Sequence, residues 1–370
     1  MIPVNEPLLD GNEKKYLSEC IDTGWISSEG PFVKRFEEGM AQYVGRKHAV
    51  AVTNGSAALE LAVAALKLHD GDEVIMPTFT IISCAQALLR HGVTPVLVDS
   101  DATTWNMNAA DIEAKITPKT KAIMIVHIYG LPVDIDPIMA LAKKYDLKII
   151  EDAAEMIGQE YKNKKCGSFG DISIFSFYPN KHITTGEGGM VLCDDDELHE
   201  RCKSLKNLCF QGKKRFVHEE LGYNFRMSNI QAALGVAQLE RIEEFVEKKR
   251  YIGKMYTDLL SDIDAIQLPL EKTDYSNNIY WVFGILIKEE CNKTAEDIMM
   301  ALKEYTIGTR PFFCPMHKQP VFKNMGMFVE EQHPIAENLY EKGLYIPSGM
   351  AITEEQMAKV SESLHKVVFV

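Results

Sequence analysis

Ser176-Phe177-Tyr178-Pro179-Asn180-Lys181-His182-Ile183-Thr184-Thr185-Gly186-Glu187-Gly188-Gly189 carries the end of one apolar run through a polar bend and a glycine-rich turn into the next run, 190–193. Similar short β-branched runs occupy 48–53, 73–76, 95–98, 122–127, 148–152 and 172–177. Amphipathic stretches separate most of them, a pattern that predicts an α/β fold with a mostly parallel seven-stranded sheet covered by helices on both faces. Helical spacing is visible at 56–66, 81–90 and 135–144. It also runs through 228–249 as one long helix, where Ala232, Ala233, Val236, Leu239 and Ile242 share a face. Beyond residue 249 the pattern changes to a strand at 279–287, a helix at 295–305 and two further helices near the end. The predicted organisation is therefore a large domain over 1–250 and a smaller α+β domain over 251–370.

Two residue types in this pattern belong together chemically. Asp152 closes the run Leu147-Lys148-Ile149-Ile150-Glu151-Asp152, which places it at the carboxyl end of a predicted strand, where ligands gather in open α/β sheets. Lys181 follows the end of another. A lysine so placed can form a Schiff base with pyridoxal phosphate (PLP). A carboxylate keeps that cofactor's pyridine nitrogen protonated, the state in which it withdraws electrons. Taken singly, each residue is equally a surface charge; together with the glycine turn they predict one PLP pocket with Lys181 and Asp152 as its catalytic pair.

That cofactor needs a phosphate site. Thr53-Asn54-Gly55-Ser56-Ala57-Ala58-Leu59 follows the first run and opens a predicted helix, whose N-terminal N–H groups, capped by the small hydroxyl residue Ser56, suit an anion. The formal charge of −13 argues against nucleic acid or a membrane surface as the main partner, so an anionic ligand must meet local donors. No apolar run reaches the ~18 residues of a membrane span and no secretory pattern opens the chain, so the expected location is the cytoplasm. The eight cysteines and ten histidines form no C-x-x-C or H-E-x-x-H pattern; free thiols and no metal are expected. A P-loop motif is missing, and Gly186-Glu187-Gly188-Gly189 precedes a strand instead of following one, unlike a dinucleotide fingerprint.

Over nearly its full length the chain also resembles the DegT/DnrJ/EryC1/StrS family of sugar aminotransferases. The resemblance lies in Gly24-Trp25-Ile26-Ser27-Ser28, Asn54 to Leu59, Gly71-Asp72-Glu73-Val74-Ile75-Met76-Pro77, Val126-His127-Ile128-Tyr129-Gly130, Glu151-Asp152-Ala153-Ala154-Glu155, Gly167-Ser168-Phe169-Gly170-Asp171 and Gly222-Tyr223-Asn224-Phe225-Arg226-Met227. It implies the fold-type I, aspartate-aminotransferase-like architecture, Lys181 as the Schiff-base lysine and Asp152 on the pyridine nitrogen. It further implies Glu155 near the cofactor ring oxygen or the substrate, and Ser56, Ala57 and Ser176 on the phosphate. Asn224 would reach the phosphate of a neighbouring subunit, making a homodimer with shared active sites. Where the family often sets an aromatic residue against the cofactor ring, this chain has Ile81, so stacking there is apolar.

Within the family the chain is similar to the branch that aminates GDP-4-keto-6-deoxy-D-mannose at C4, through Trp25-Ile26-Ser27-Ser28, Asn180-Lys181, Tyr280-Trp281 and Thr309-Arg310-Pro311-Phe312-Phe313-Cys314-Pro315-Met316-His317. The resemblance implies L-glutamate as amino donor, a nucleotide-linked keto-sugar as acceptor and two ping-pong half-reactions. Trp25, Arg310 and His317 are the implied substrate contacts, Arg310 to the diphosphate and His317 to the sugar; Arg310 could equally be an interdomain ion pair. His182 is either a second proton carrier or a wall residue. UDP- and dTDP-linked sugars stay open, as does the attacked carbon. A PLP-dependent 3-dehydratase is disfavoured because those enzymes carry His where Lys181 stands, and a non-catalytic PLP-binding regulator because Lys181, Asp152 and Glu155 are all present.

Overall fold

The structure, a computed structural model, describes residues 1–210, 214 and 216–369; Val370, the last residue of the predicted second domain, lies outside them. Its strands are β1 (His48–Val52), β2 (Glu73–Pro77), β3 (Thr94–Val98), β4 (Thr120–Val126), β5 (Lys148–Asp152), β6 (Glu160–Tyr161), β7 (Lys164–Lys165), β8 (Ile172–Ser176), β9 (Gly189–Cys193), β10 (Ile266–Gln267), β11 (Phe283–Ile287), β12 (Arg310–Pro311) and β13 (Gly343–Ile346). Seven of them form one sheet in the order β1-β9-β8-β5-β4-β2-β3. Pairing between β2 and β3, β2 and β4, β4 and β5, and β5 and β8 is parallel, while β9 runs antiparallel to both β1 and β8. The mostly parallel seven-stranded sheet is thus as expected, and the antiparallel strand is the one reached through the Lys181 loop.

Side-chain alternation explains why the sheet is buried on both sides. Ala122, Met124 and Val126 of β4 join one apolar cluster and Ile123 and Ile125 join the other, as a period of two requires. Helices Gly55–Ala65 and Ser83–Leu89 pack with the first set; helices Pro31–Val44 and Asn229–Leu239 pack with the second.

A third apolar cluster surrounds the four-stranded antiparallel sheet β10-β11-β13-β12, with Ile252, Tyr256 and Leu260 of helix Ile242–Leu260 and Ile298 and Leu302 of helix Ala295–Glu304. Ile2 belongs to it too, bridging to Ile307, so the start of the chain lies on this sheet.

The long helix expected over 228–249 is two helices, Asn229–Leu239 and Ile242–Leu260. Polar contacts fix the break: Glu240 accepts from Tyr16, Arg35 and Asn12, while Arg241 is drawn to Asp10 and Glu244. The strand expected over 279–287 begins only at Phe283, because Tyr280 sits at φ 49° with its N–H donated to the Asn278 side chain at 2.6 Å.

Candidate active site

Five parallel strands deliver their carboxyl ends to one cavity. It measures about 620 Å³ and is lined by Asn54 and Ser56 after β1, Thr80 and Ile81 after β2, Val126 of β4, Asp152 of β5 and Ser176 of β8. Lys181, Asn180 and Glu187 enter from the loop between β8 and β9, Trp281 from just before β11, Phe313 from just after β12 and Tyr345 from β13.

The lysine loop is a closed bend. Phe177 N–H donates to Gly188 O at 2.9 Å, Thr185 N–H returns to Phe177 O at 3.0 Å, and Lys181 N–H closes a turn on Tyr178 O at 2.9 Å. Asn5 and Trp281 tie it from outside, donating to the carbonyls of Pro179 and Asn180 at 3.1 and 2.9 Å. Lys181 Nζ stands 4.0 Å from the centroid of the Trp281 ring. Burial lowers the pKa of this amine, against the pull of the Glu155 and Asp152 carboxylates.

Asp152 is held at both oxygens: Ala154 N–H donates to Oδ1 at 3.0 Å and the Cys84 thiol to Oδ2 at 3.3 Å. Burial raises its pKa, an effect that a cation brought against the carboxylate reverses. A protonated pyridine nitrogen is such a cation. Glu155 accepts Tyr129 N–H at 2.7 Å, and burial pushes its carboxyl up to about 8, so it offers a proton near neutrality.

At the start of helix Gly55–Ala65 the cap is Asn54, not Ser56: its side chain accepts Ala57 N–H at 2.8 Å. The first N–H groups, on Gly55 and Ser56, have no acceptor a turn earlier in the helix and stay available for an anion. Ser56 Oγ pairs with Ser83 Oγ at 2.7 Å at the cavity wall. A Cβ on Gly55 would come within 2.8 Å of Ser176 Cβ, so glycine is what lets the helix start and Ser176 converge. An anion cradle, a buried carboxylate and a lysine around one cavity are the donor set that PLP requires.

Six of the expected site residues line this cavity: Ser56, Ile81, Asp152, Glu155, Ser176 and Lys181. Ala57 lies just behind Ser56 with its N–H committed to Asn54. Arg310 lines an adjoining cleft of about 270 Å³ that shares Tyr178, Asn180, Trp281 and Tyr345 with the main cavity. Four others lie elsewhere. His182 is buried behind the loop, where desolvation holds its pKa well below the usual histidine value. His317 is buried with Nδ1 on Thr78 Oγ1 at 2.8 Å and Nε2 on Glu337 Oε1 at 2.9 Å. Trp25 is half exposed, and Asn224 accepts from the Arg226 guanidinium at 2.7 Å. Sequence reasoning passed over Cys84, Trp281, Phe313 and Tyr345 as site residues; the Tyr280-Trp281 pair and the 309–317 stretch that holds Phe313 carried the signal, while Cys84 and Tyr345 carried none.

The family model described as the DegT/DnrJ/EryC1/StrS aminotransferase family matches residues 7–365. The chain belongs to that family. It is 43% identical to GDP-perosamine synthase of Escherichia coli O157:H7 over 99% of this chain and 98% of that one, and 40% identical to GDP-perosamine synthase of Vibrio cholerae over 97% of each. Among solved structures it is similar to PseC of Helicobacter pylori, an aminotransferase involved in the biosynthesis of pseudoaminic acid, with a TM-score of 0.93 and 27% identity over 99% of this chain and 98% of that one.

Proposed function

We propose that the chain is a PLP-dependent aminotransferase that moves the amino group of L-glutamate to C4 of GDP-4-keto-6-deoxy-D-mannose, giving GDP-perosamine. The observation that carries this reading is the meeting of Lys181 and Asp152 in one cavity, in a chain 40–43% identical to GDP-perosamine synthases along almost its whole length. When bound, PLP supplies the electron sink that lets a C–H bond beside an amine-bearing carbon ionise.

The chain's own residues do the rest. Asp152 would hold the pyridine nitrogen and keep it protonated, while the N–H groups of Gly55 and Ser56, with the Ser56 and Ser176 hydroxyls, would take the phosphate. Glu155 would meet the ring oxygen or the substrate, and Ile81 would offer the ring an apolar side. Lys181 Nζ takes the proton from the α-carbon of glutamate in one half-reaction and places one on the sugar C4 in the other. Its lowered pKa suits that traffic, because an amine that is always protonated cannot act as a base. Arg310, in the adjoining cleft, takes the diphosphate.

Trp25 and Asn224, both outside this chain's cavity, serve the site of a second subunit in a C2 homodimer. The site of action is the cytoplasm, a reading supported by eight unpaired cysteines; no described helix is long and apolar enough to cross a membrane. Mass spectrometry of the product from PLP-loaded protein, L-glutamate and the GDP keto-sugar, with UDP and dTDP keto-sugars in parallel, tests the whole reading. An amino sugar from the GDP substrate, lost in Lys181→Ala, is expected. Product only from UDP or dTDP sugars overturns the nucleotide, and a deoxygenated product overturns the reaction.

A further inference from the structure

Trp281 touches the lysine from a part of the chain a hundred positions away, and it is fixed there through its indole N–H and its carbonyl. Its ring is buried beneath Lys181 Nζ at 4.0 Å, its indole N–H donates to Asn180 O at 2.9 Å, and its carbonyl accepts Lys249 Nζ at 3.0 Å. Lys249 itself is buried and also donates to Ser348 O at 2.6 Å, so one amine joins the Trp281 and Ser348 backbones. The indole also stacks on Tyr129 with centroids 5.9 Å apart and planes at 25°. Tyr129 is the residue whose N–H holds Glu155. An aromatic needed only for packing has no reason to present its face to the lysine amine that lines the cavity.

Resting on the reading of Lys181 as the PLP lysine, we propose that Trp281 is a positioning residue for transamination: its face receives the Lys181 amino group whenever that amine is free, and Lys249 and Asn180 keep the face in place. The chemistry is cation–π attraction, which favours the ammonium form at the ring. The titratable groups around the same amine are Asp152 and Glu155, from β5 and the segment after it, and the neutral His182 behind the loop; Glu187 and Tyr345 share the cavity. The carboxylates pull Lys181 toward one wall and Trp281 holds it on another. The free amine thus has a defined resting place between the two half-reactions.

The test needs no cofactor. In full-length protein stripped of cofactor, the pKa of Lys181 is read from the pH dependence of its acetylation by acetic anhydride, resolved by peptide mass spectrometry. Removing the ring takes away support for the ammonium, so Trp281→Leu is expected to lower that pKa by about 0.5 to 1.5, with Trp281→Phe falling between the two. In the loaded enzyme Trp281→Leu is expected to lower kcat about ten- to a hundredfold with little change in KM for L-glutamate, and Phe to rescue part of it. A Lys181 pKa that is the same in all three folded proteins overturns the proposal. Failure of wild-type protein to form a visible PLP band that depends on Lys181 would overturn the function instead, and the acetylation titration would still decide the role of Trp281.

Discussion

Glu151 and Asp152 are consecutive carboxylates that the pleat of β5 sends to opposite faces of the sheet. Asp152 faces the cavity, while Glu151 accepts Gly167 N–H at 2.5 Å, Phe169 N–H at 2.8 Å and His127 Nε2 at 3.1 Å. His127 Nδ1 accepts Val133 N–H, so its proton is on Nε2 and points at Glu151. With Cys166 these two side chains lie close enough together to hold a metal ion, but both ring nitrogens and both carboxylate oxygens already have partners: Val133 and Glu151 for the imidazole, and Gly167, Phe169 and His127 for the carboxylate. Glu151→Gln puts an NH2 against N–H donors and is expected to cost about 1–3 kcal/mol of stability in urea unfolding. Asp152→Asn is expected to keep its stability and lose about a hundred- to a thousandfold in turnover. The opposite pairing of effects would place the two carboxylates wrongly.

The thiol of Cys84 should matter through Asp152. It is fully buried, its pKa is driven well above the usual thiol value by burial, and it therefore stays a donor to Oδ2. Cys84→Ala is expected to weaken PLP binding about two- to tenfold in a titration of the visible band, and Cys84→Ser, which keeps a donor, to weaken it less. Equal effects of the two variants would mean that the residue only fills space.

How much of this was legible beforehand follows from where each signal resides. The strands were readable because β-branched runs such as 122–127 and 148–152 need only local composition, and Lys181 and Asp152 because strand ends converge in an open sheet. Ser56 was misread as a cap since Asn54, two residues earlier, offers the better-placed acceptor. The break at Glu240 depends on Tyr16 and Arg35, more than two hundred positions away, which no window on the sequence contains. Trp281 and Tyr345 reach the cavity by the packing of the antiparallel sheet, a tertiary event. His317, expected on the sugar, has both ring nitrogens bonded to Thr78 and Glu337, because a buried imidazole is commonly satisfied by its own fold.

A buried lysine that no carboxylate among the described residues pairs with leaves a trace in the pH dependence of folding. Burial lowers Lys249 to about 7 from an ordinary 10.5. Between those values the unfolded chain binds the proton and the folded one does not, so stability rises with pH; the penalty is fully present below about 7 and gone above about 10. Unfolding by urea at several pH values from 6.5 to 9.5 should show wild type gaining stability relative to Lys249→Met as pH rises. Parallel curves would mean that the ammonium is carried into the fold at no such cost.

Arg310 decides between an ion pair and a ligand contact. Among the described residues no carboxylate pairs with it; its guanidinium donates only to Thr309 O at 3.0 Å, and its strand β12 is exposed beside Tyr345 of β13. A structural arginine at a domain junction would have found an acid, whereas this one lines the cleft that opens beside Lys181. A planar fork of donors left free there suits the paired phosphate oxygens of a sugar nucleotide. Arg310→Ala is expected to raise KM for the nucleotide sugar about ten- to a hundredfold, leaving KM for L-glutamate and the melting temperature close to wild type. Arg310→Lys keeps the charge but not the fork and should fall between them. A fall in melting temperature with KM unchanged would return Arg310 to a structural role and leave the diphosphate without its proposed partner.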